Sequence, residues 1–221
     1  MHKNRIVSVI INFKTPDLTH RAVSGLRRFY PDLPLLLIDN GSSGPSAAAL
    51  DGLRELSPDR TEVILNRRNI HHGPAMDQAL RHLDAELVLF LDSDCEVVQG
   101  GFVEAMTERA AQSPECYAVG KLVFMNKRGF DVDRTANGAL PYIRPVCMLI
   151  NRELYLTLPA FEHHGTPCLN NMREAARRGL SLVDFPTERY VRHEGRGTAA
   201  RYGYRLGLKG KLNYLLNKFG W

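Results

Sequence analysis

Two carboxylates one residue apart, Asp92 and Asp94 in the run Leu87-Val88-Leu89-Phe90-Leu91-Asp92-Ser93-Asp94, carry the clearest chemical potential in this chain. In a locally extended backbone, residues i and i+2 project to one side. Both carboxylates can therefore address a single hard divalent cation or the groups bound to it. Oxygen donors of this kind suit Mg2+ or Mn2+, and either ion would neutralise a diphosphate. A bare Asp-x-Asp is a common tripeptide; its place, directly after an apolar run and ahead of a helix-spaced stretch, makes it informative.

Three other apolar runs end in polar groups of the same kind. Asn12-Phe13-Lys14-Thr15-Pro16 follows Ile6 to Ile11, Asp39-Asn40-Gly41-Ser42-Ser43 follows Leu35 to Ile38, and Asn66-Arg67-Arg68-Asn69 follows Val63 to Leu65. Each alone reads as an ordinary turn former. Ligands of open α/β sheets collect beyond the carboxyl ends of the strands, so four consecutive polar strand ends point to one shared site.

The elements that must position these groups follow from periodicity. The four apolar runs are short, β-rich and nearly continuous, the pattern of strands buried on both faces. Between them, Leu18, Ala22, Leu26 and Phe29 share a helical face after Thr15-Pro16-Asp17, where Thr can cap and Pro fits the first helical position. Leu50, Leu53 and Leu56 make a second helical face, and Ala75, Ala79, Leu80 and Leu83 a third. The order β-α-β-α-β-α-β predicts a right-handed, Rossmann-like half over residues 1–98. Beyond it, Phe102 to Ala111 reads as a helix, Tyr117 to Phe124 and Val146 to Ile150 as strands, and Asn126 to Gly138 as a mobile loop. Leu169, Met172 and Ala176 suit a helix ended by Gly179, with Leu180 to Phe185 and Tyr190 to Val191 as further strand pieces. No linker divides residues 1–201, which are expected to form one domain, with 202–221 as a basic amphipathic tail.

Composition narrows the class. With 221 residues, 44% hydrophobic and 24% charged, the chain can bury a core and is too apolar for disorder. No apolar run approaches the roughly 18 to 20 residues of a membrane span, and the start lacks the apolar stretch of a signal peptide, so a cytoplasmic protein is expected. Cys95, Cys116, Cys147 and Cys168 include no Cys-x-x-Cys pair, which predicts reduced, mostly buried thiols rather than a zinc knuckle. The pairs His71-His72 and His163-His164 argue no differently, because adjacent side chains diverge on any regular element. From Arg192 to Trp221 seven Lys or Arg face one Glu, whereas the rest of the chain is nearly neutral. In the tail, Leu208, Leu212, Leu215 and Phe219 fall on one helical face among these cations. Such an end either docks on its own domain or lies on an anionic membrane, peripherally at the inner face. No nucleic-acid recognition motif accompanies the charge, so no specific nucleic acid is expected.

The strand-end motifs together resemble those of family 2 glycosyltransferases of the GT-A fold. The resemblance runs from Val7 to about Thr198 and is best before Val97. It implies an α/β fold, a Rossmann-like parallel or mixed central sheet flanked by helices, with a smaller acceptor-side region over 99–201. It also implies a nucleotide-diphosphate sugar donor, a Mn2+ or Mg2+ cofactor, and a glycan, lipid-linked or small-molecule acceptor. Asn12, Phe13, Lys14 and Thr15 stand in the family's first loop, which touches the nucleoside, and Leu36-Leu37-Ile38-Asp39-Asn40-Gly41-Ser42 is similar to its second-strand motif, with Asp39 facing the base. Asn69-Ile70-His71-His72-Gly73-Pro74-Ala75-Met76-Asp77 occupies the place of its Asn- and Gly-rich turn, with His71 where Gly is usual and Asp77 where Asn or Arg is usual. Hydrogen bonding to diphosphate or sugar is the role this gives His71 and His72. Asp92, Ser93 and Asp94 match the metal motif, Asp92 and Asp94 as ligands, and Tyr190 to Thr198 resembles a late segment whose His completes the shell, here His193.

The acceptor side departs from the family. Pro145 to Leu154 resembles its acceptor-side strand, but the Glu-Asp pair supplying the family's catalytic base should fall near Thr166-Pro167-Cys168, where no carboxylate stands. Glu162, His163 and His164 are the nearest candidates. A metal-dependent, inverting transfer is the leading expectation. Two others stay open: a nucleotide-sugar-binding module without a base, and a sugar nucleotidyltransferase, for which the first loop lacks the expected Gly-rich, Arg-containing sequence.

Overall fold

A computed structural model of the protein describes residues 4–42, 48–50, 52, 58–162 and 165–193. The strands are β1 (Asn4–Asn12), β2 (Leu35–Asp39), β3 (Thr61–Leu65), β4 (Ala85–Asp92), β5 (Cys95–Val97), β6 (Cys116–Met125), β7 (Leu140–Asn151), β8 (Ser181–Asp184) and β9 (Val191–His193). The helices are α1 (Pro16–Phe29), α2 (His72–His82), α3 (Phe102–Ala111), α4 (Arg152–Leu156) and α5 (Leu169–Arg177). Of the expected second helical face, 48–50 and 52 are helical and Leu50 is buried, while Leu53 and Leu56 lie outside the described residues.

Seven strands form one mixed sheet in the order β3-β2-β1-β4-β7-β6-β8. The pairs among β3, β2, β1 and β4 are parallel, β7 runs antiparallel to both its neighbours, and β8 is parallel to β6. Both faces are covered, which is why the strands read as continuous apolar runs. Along β4 the pleat sends Val88 and Phe90 to the face packed by Ala75, Met76, Ala79 and Leu80 of α2 and by Tyr155, Met172 and Ala175. Leu87, Leu89 and Leu91 go to the opposite face, against Ala22, Val23 and Leu26 of α1 and Phe102, Val103 and Met106 of α3. Thus α1 and α2 lie on opposite faces, and the chain changes sides between β1 and β4. Such a switch opens a crevice at the carboxyl ends of the strands.

Several local expectations are corrected. Thr15 stands at the start of α1, but its side chain makes no cap bond; Asn12 Oδ1 receives the Thr15 N–H at 3.3 Å instead. The segment 126–138 is hydrogen-bonded rather than irregular: Asn126 N donates to Phe130 O, Val132 N to Phe124 O, and Met125 bridges Asp131. β7 begins at Leu140, well before the expected Val146, because β6 offers it a partner that no local pattern announces. α4 was not foreseen; Asn151 caps it, accepting from Leu154 N at 3.2 Å.

Gly41 fixes one rim loop against another. Its φ is +82°, and a Cβ there would lie 2.1 Å from the Arg68 carbonyl carbon. Gly41→Ala should therefore destabilise by at least about 1–3 kcal/mol, the usual cost of left-handed strain, before the backbone clash is counted. Urea unfolding checks this; an unchanged midpoint would mean that the two loops are not in contact.

Candidate active site

The crevice brings most of the strand-end residues onto one rim. Parallel register sets Asn12 beside Asp39 and Ile11 beside Asp92. Asn12 and Asp39 are almost fully buried, 0% and 1% exposed, and act as a polar hub. Asn12 Nδ2 donates to Asp39 Oδ1 at 2.8 Å, Asn12 Oδ1 accepts from Thr19 Oγ1 at 2.8 Å, and Asp39 Oδ2 accepts from Ser42 N at 2.9 Å. Ser42 Oγ in turn accepts from Lys14 N at 2.8 Å, and Lys14 Nζ sits 5.2 Å from the centre of the Phe13 ring. The buried amide of Asn12 and carboxylate of Asp39 are thus hydrogen-bonded on every side-chain polar atom, which offsets desolvation.

Asn40 ties the next two loops together. Its Nδ2 donates to Asn69 Oδ1 at 3.1 Å and His71 O at 3.2 Å, while its Oδ1 accepts from Asn66 Nδ2 at 3.3 Å and Ile70 N at 3.2 Å. Sequence reasoning missed this role, although the residue after a strand-end Asp was a legible place for it. His71 is held with φ +73° and ψ 163°, a region that glycine alone enters readily, at the residue where the family resemblance expects glycine. Asn69 Oδ1 accepts the His71 N–H at 2.7 Å and helps hold that conformation.

Asp92 ends β4 on the face shared with α2, so His72 at the start of α2 meets it, Nε2 to Oδ1 at 3.6 Å. Ser93 is buried in the turn that follows. Asp94 meets His193, Oδ1 to Nε2 at 3.2 Å. His193 is delivered by the ribbon of β5 and β9, in which Cys95 pairs with His193 and Val97 with Val191. That ribbon is anchored by Tyr190, stacked on Phe185 with ring centres 5.6 Å apart. Asp94, Cys95 and His193 each offer a ligand atom within 4.8 Å of the others, so the hard and borderline donors of Asp94 and His193, with Asp92 nearby, fit a divalent cation.

Burial, reinforced by the Asp94 charge and opposed by His193, pushes the Asp92 carboxyl up to about 7. Burial pushes the His72 imidazole down to about 4, against the pull of Asp94. The hydrogen bond to Asp94 raises His193 above its ordinary value; burial opposes this, the charges of Asp94 and Asp92 support it, and Arg144 opposes it. Arg144 is thus a cation at this corner that the sequence did not reveal, held by Asp131 at 2.5 Å.

Other expected residues have different settings. Asp77 lies a turn and a half into α2, where its carboxylate accepts from Arg81 Nε at 2.9 Å and Tyr155 Oη at 2.6 Å, tying α2 to α4. Gly73 is a packing position: a Cβ there would lie 2.4 Å from Glu162 O, so its absence lets the acceptor-side loop sit on the start of α2. Glu162 is exposed, its Oε1 accepting from Asn170 Nδ2 at 3.3 Å. His163 and His164 lie outside the described residues. At the resemblance's base position stands Cys168, fully buried at the start of α5, with its thiol pushed well up by burial.

The family model "Glycosyl transferase family 2" matches residues 8–174. The chain belongs to glycosyl transferase family 2. An O-antigen biosynthesis protein of Myxococcus xanthus is 29% identical over 223 residues, covering 85% of this chain and 17% of that protein. An undecaprenyl-phosphate 4-deoxy-4-formamido-L-arabinose transferase of an Enterobacter species is 28% identical over 131 residues, covering 58% and 38%. The chain therefore spans well under half the length of these curated relatives. Among solved structures, a Pyrobaculum calidifontis mannosyltransferase in complex with GDP-Man and Mn2+ superposes with a TM-score of 0.66 at 17% identity, over 84% of this chain and 56% of that one. GalNAc-T7 with UDP, GalNAc and Mn2+ superposes at 0.68 and 14% identity, over 84% and 43%. At these identities the likeness establishes the GT-A fold. Among the described residues of this family 2 chain, no helix is long and apolar enough to cross a membrane.

The carboxyl of Asp92 yields a sign-definite prediction for metal-free protein. Native Asp92 keeps its proton to about pH 7, whereas an unfolded Asp releases it near pH 3.9 or so, so its contribution to stability falls as pH rises between those values. His72 acts oppositely: unfolded it binds a proton below about 6.5, folded only below about 4, so its contribution rises with pH in that window. Comparing parent with Asp92→Asn in a His72→Gln background removes the His72 part, since the two side chains are 3.6 Å apart. The variant should melt a few degrees higher than the parent at pH 8, with the gain vanishing toward pH 4, and Mn2+ should stabilise the parent more. Melting curves over pH in a chelator test this; a gain independent of pH would refute it.

Proposed function

We propose that the chain transfers a sugar from a nucleotide-diphosphate sugar to an acceptor hydroxyl, with Mn2+ or Mg2+ at Asp94 and His193 assisted by Asp92. The observation that carries the reading is the convergence of Asp92, Asp94 and His193 at the switch point between β1 and β4, beside the Asn12 and Asp39 hub. A bound cation would stabilise the negative charge of the departing nucleoside diphosphate. The chain's own residues supply the rest. The Asn12 and Asp39 hub, with Phe13, Lys14 and Thr15, frames the nucleoside end, and Asp39 has lone pairs left for a donor on the base. His71, His72 and the loop from Asn69 to Gly73 border the diphosphate and sugar, the neutral His72 imidazole accepting or donating one hydrogen bond without adding charge. Ser93 lies between the two carboxylates and lines the same end of the donor.

The base is assigned to the loop at Glu162, His163 and His164. The Glu162 backbone packs on Gly73, one residue from His72, which itself reaches Asp92, so Glu162 borders the same corner from the acceptor side. A hydroxyl deprotonated there and attacking in line would invert the anomeric centre. A glycan or lipid-linked acceptor is favoured, because the curated relatives are named for O-antigen biosynthesis and undecaprenyl-phosphate transfer. The tail over 202–221 would then meet anionic headgroups, peripherally at the membrane. One observation favours a second reading: Cys168 replaces a carboxylate at the expected base position and is buried away from solvent, as in a module that binds the donor without transfer.

Two experiments separate these readings. Asp94→Ala should abolish Mn2+-dependent binding of nucleoside diphosphates in calorimetric titration, and binding equal to the parent's would end the metal assignment. Glu162→Gln, His163→Ala and His164→Ala should each be assayed for transfer and donor affinity. The true base lowers transfer about 10²- to 10⁴-fold with donor affinity intact. Its pH profile falls toward about 4 to 5 for a carboxylate and near 6 to 7 for an imidazole. Parental rates in all three refute the base assignment, and donor binding without transfer by the parent selects the binding module.

A further inference from the structure

The β5 and β9 ribbon does more than deliver His193. Cys95 and His193 are direct cross-strand partners, so their side chains leave the same face of the ribbon. Asp94 precedes Cys95 in the turn after β4, where the strand alternation is broken and its carboxylate curls back to His193 at 3.2 Å. A thiol sulfur, an imidazole nitrogen and a carboxylate oxygen therefore lie within 4.8 Å of one another. Cys95 is 2% exposed, its Sγ hydrogen-bonded at 3.6 Å to Val146 O and to the backbone of Asp92. Oxygen and nitrogen at about 2.0 Å and sulfur at about 2.3 Å around one tetrahedral ion stand roughly 3.3 to 3.5 Å apart, a small side-chain rotation from the observed arrangement.

We propose that Cys95 is a third protein ligand of the metal site, with Asp94 and His193, so that the site takes thiophilic cations such as Zn2+ or Cd2+ in preference to Mn2+ or Mg2+. On binding, the thiol proton leaves to solvent as the sulfur–metal bond forms, and the fourth position stays open to water or a phosphate oxygen. Hard ions gain little from sulfur, whereas a mixed S, N, O set is matched to zinc. The inference rests on the metal corner assigned under the proposed function, and it makes zinc a competitor of the hard ion there.

The test uses the full chain, stripped with chelator and loaded with one equivalent of Zn2+. X-ray absorption at the zinc edge should show one sulfur at about 2.3 Å; a shell of nitrogen and oxygen alone overturns the proposal. Substitution with Co2+ should give a sulfur-to-metal charge-transfer band that Cys95→Ser loses and Cys147→Ser, the control for a neighbouring buried thiol, retains. A band that survives Cys95→Ser also overturns it. Cys95→Ser should bind Zn2+ about tenfold or more weakly, with a clearly smaller change in Mn2+ affinity; equal changes for the two ions overturn the proposal. If that variant does not fold, the absorption result on the parent decides alone. Sulfur-free zinc alongside Mn2+-dependent nucleotide binding refutes this inference and leaves the transferase reading standing; sulfur-bound zinc without nucleotide binding does the reverse.

Discussion

Placing two carboxylates at the end of a strand buried on both faces is electrostatically unfavourable unless positive charge comes to meet them. Burial first, and then the Asp94 charge, push the Asp92 carboxyl up to about 7. The surrounding structure can be understood as answers to that constraint. The pleat of β4 turns Asp92 toward α2 and His72, and a turn sends Asp94 toward the β5 and β9 ribbon and His193. Burial leaves His72 neutral, and among the described residues His193 and the more distant Arg144 bring positive charge to this corner. Carboxylate oxygens grouped in this way have the ligand preference of a hard divalent cation.

The side of the rim proposed to face the nucleoside solves a different problem with different chemistry. Its hub is built mainly from amides and hydroxyls, and the one buried carboxylate, Asp39, accepts from Asn12 and from the Ser42 backbone. Satisfied amides are cheaper to bury than ions and are directional, so they hold the loops after β1 and β2 in register without adding charge beside Asp92 and Asp94. Asn40 extends the same device to the third loop. The network holds strained backbone at Lys14, φ +61°, and at His71, φ +73°, the latter a cost of order 1–3 kcal/mol that the bonds from Asn40 and Asn69 sustain.

The acceptor side is tied on more loosely. It reaches the donor half through β7, which pairs with β4, and through the backbone of Glu162 packed on Gly73. Its departure from the family is local: a buried thiol at Cys168 where a carboxylate is expected, while Cys95 sits as a second thiol beneath the metal corner. The Cys168 thiol differs from what the resemblance expects while the fold remains GT-A, consistent with function residing in grafted sites rather than in architecture.

The sequence by itself determined the donor half. Continuous apolar runs at β1, β2, β3 and β4 and helical spacing at α1 and α2 are local signals, and polar groups at strand ends fall on one rim in any parallel sheet. Asn12, Asp39, Asp92 and Asp94 were legible for that reason. What only tertiary structure decided depends on contacts between residues distant in the chain. The pairing of β9 with β5 brings His193 to Asp94 across about a hundred residues and puts Cys95 opposite it, and nothing local to Cys95 distinguishes a core thiol from a ligand. The full length of β7, the approach of Glu162 to Gly73 and the place of Arg144 likewise follow from long-range packing. Asp77 shows the converse: its motif position reads as a ligand, but the helix turns it to Arg81 and Tyr155, because side-chain direction along a helix rotates by about 100° per residue.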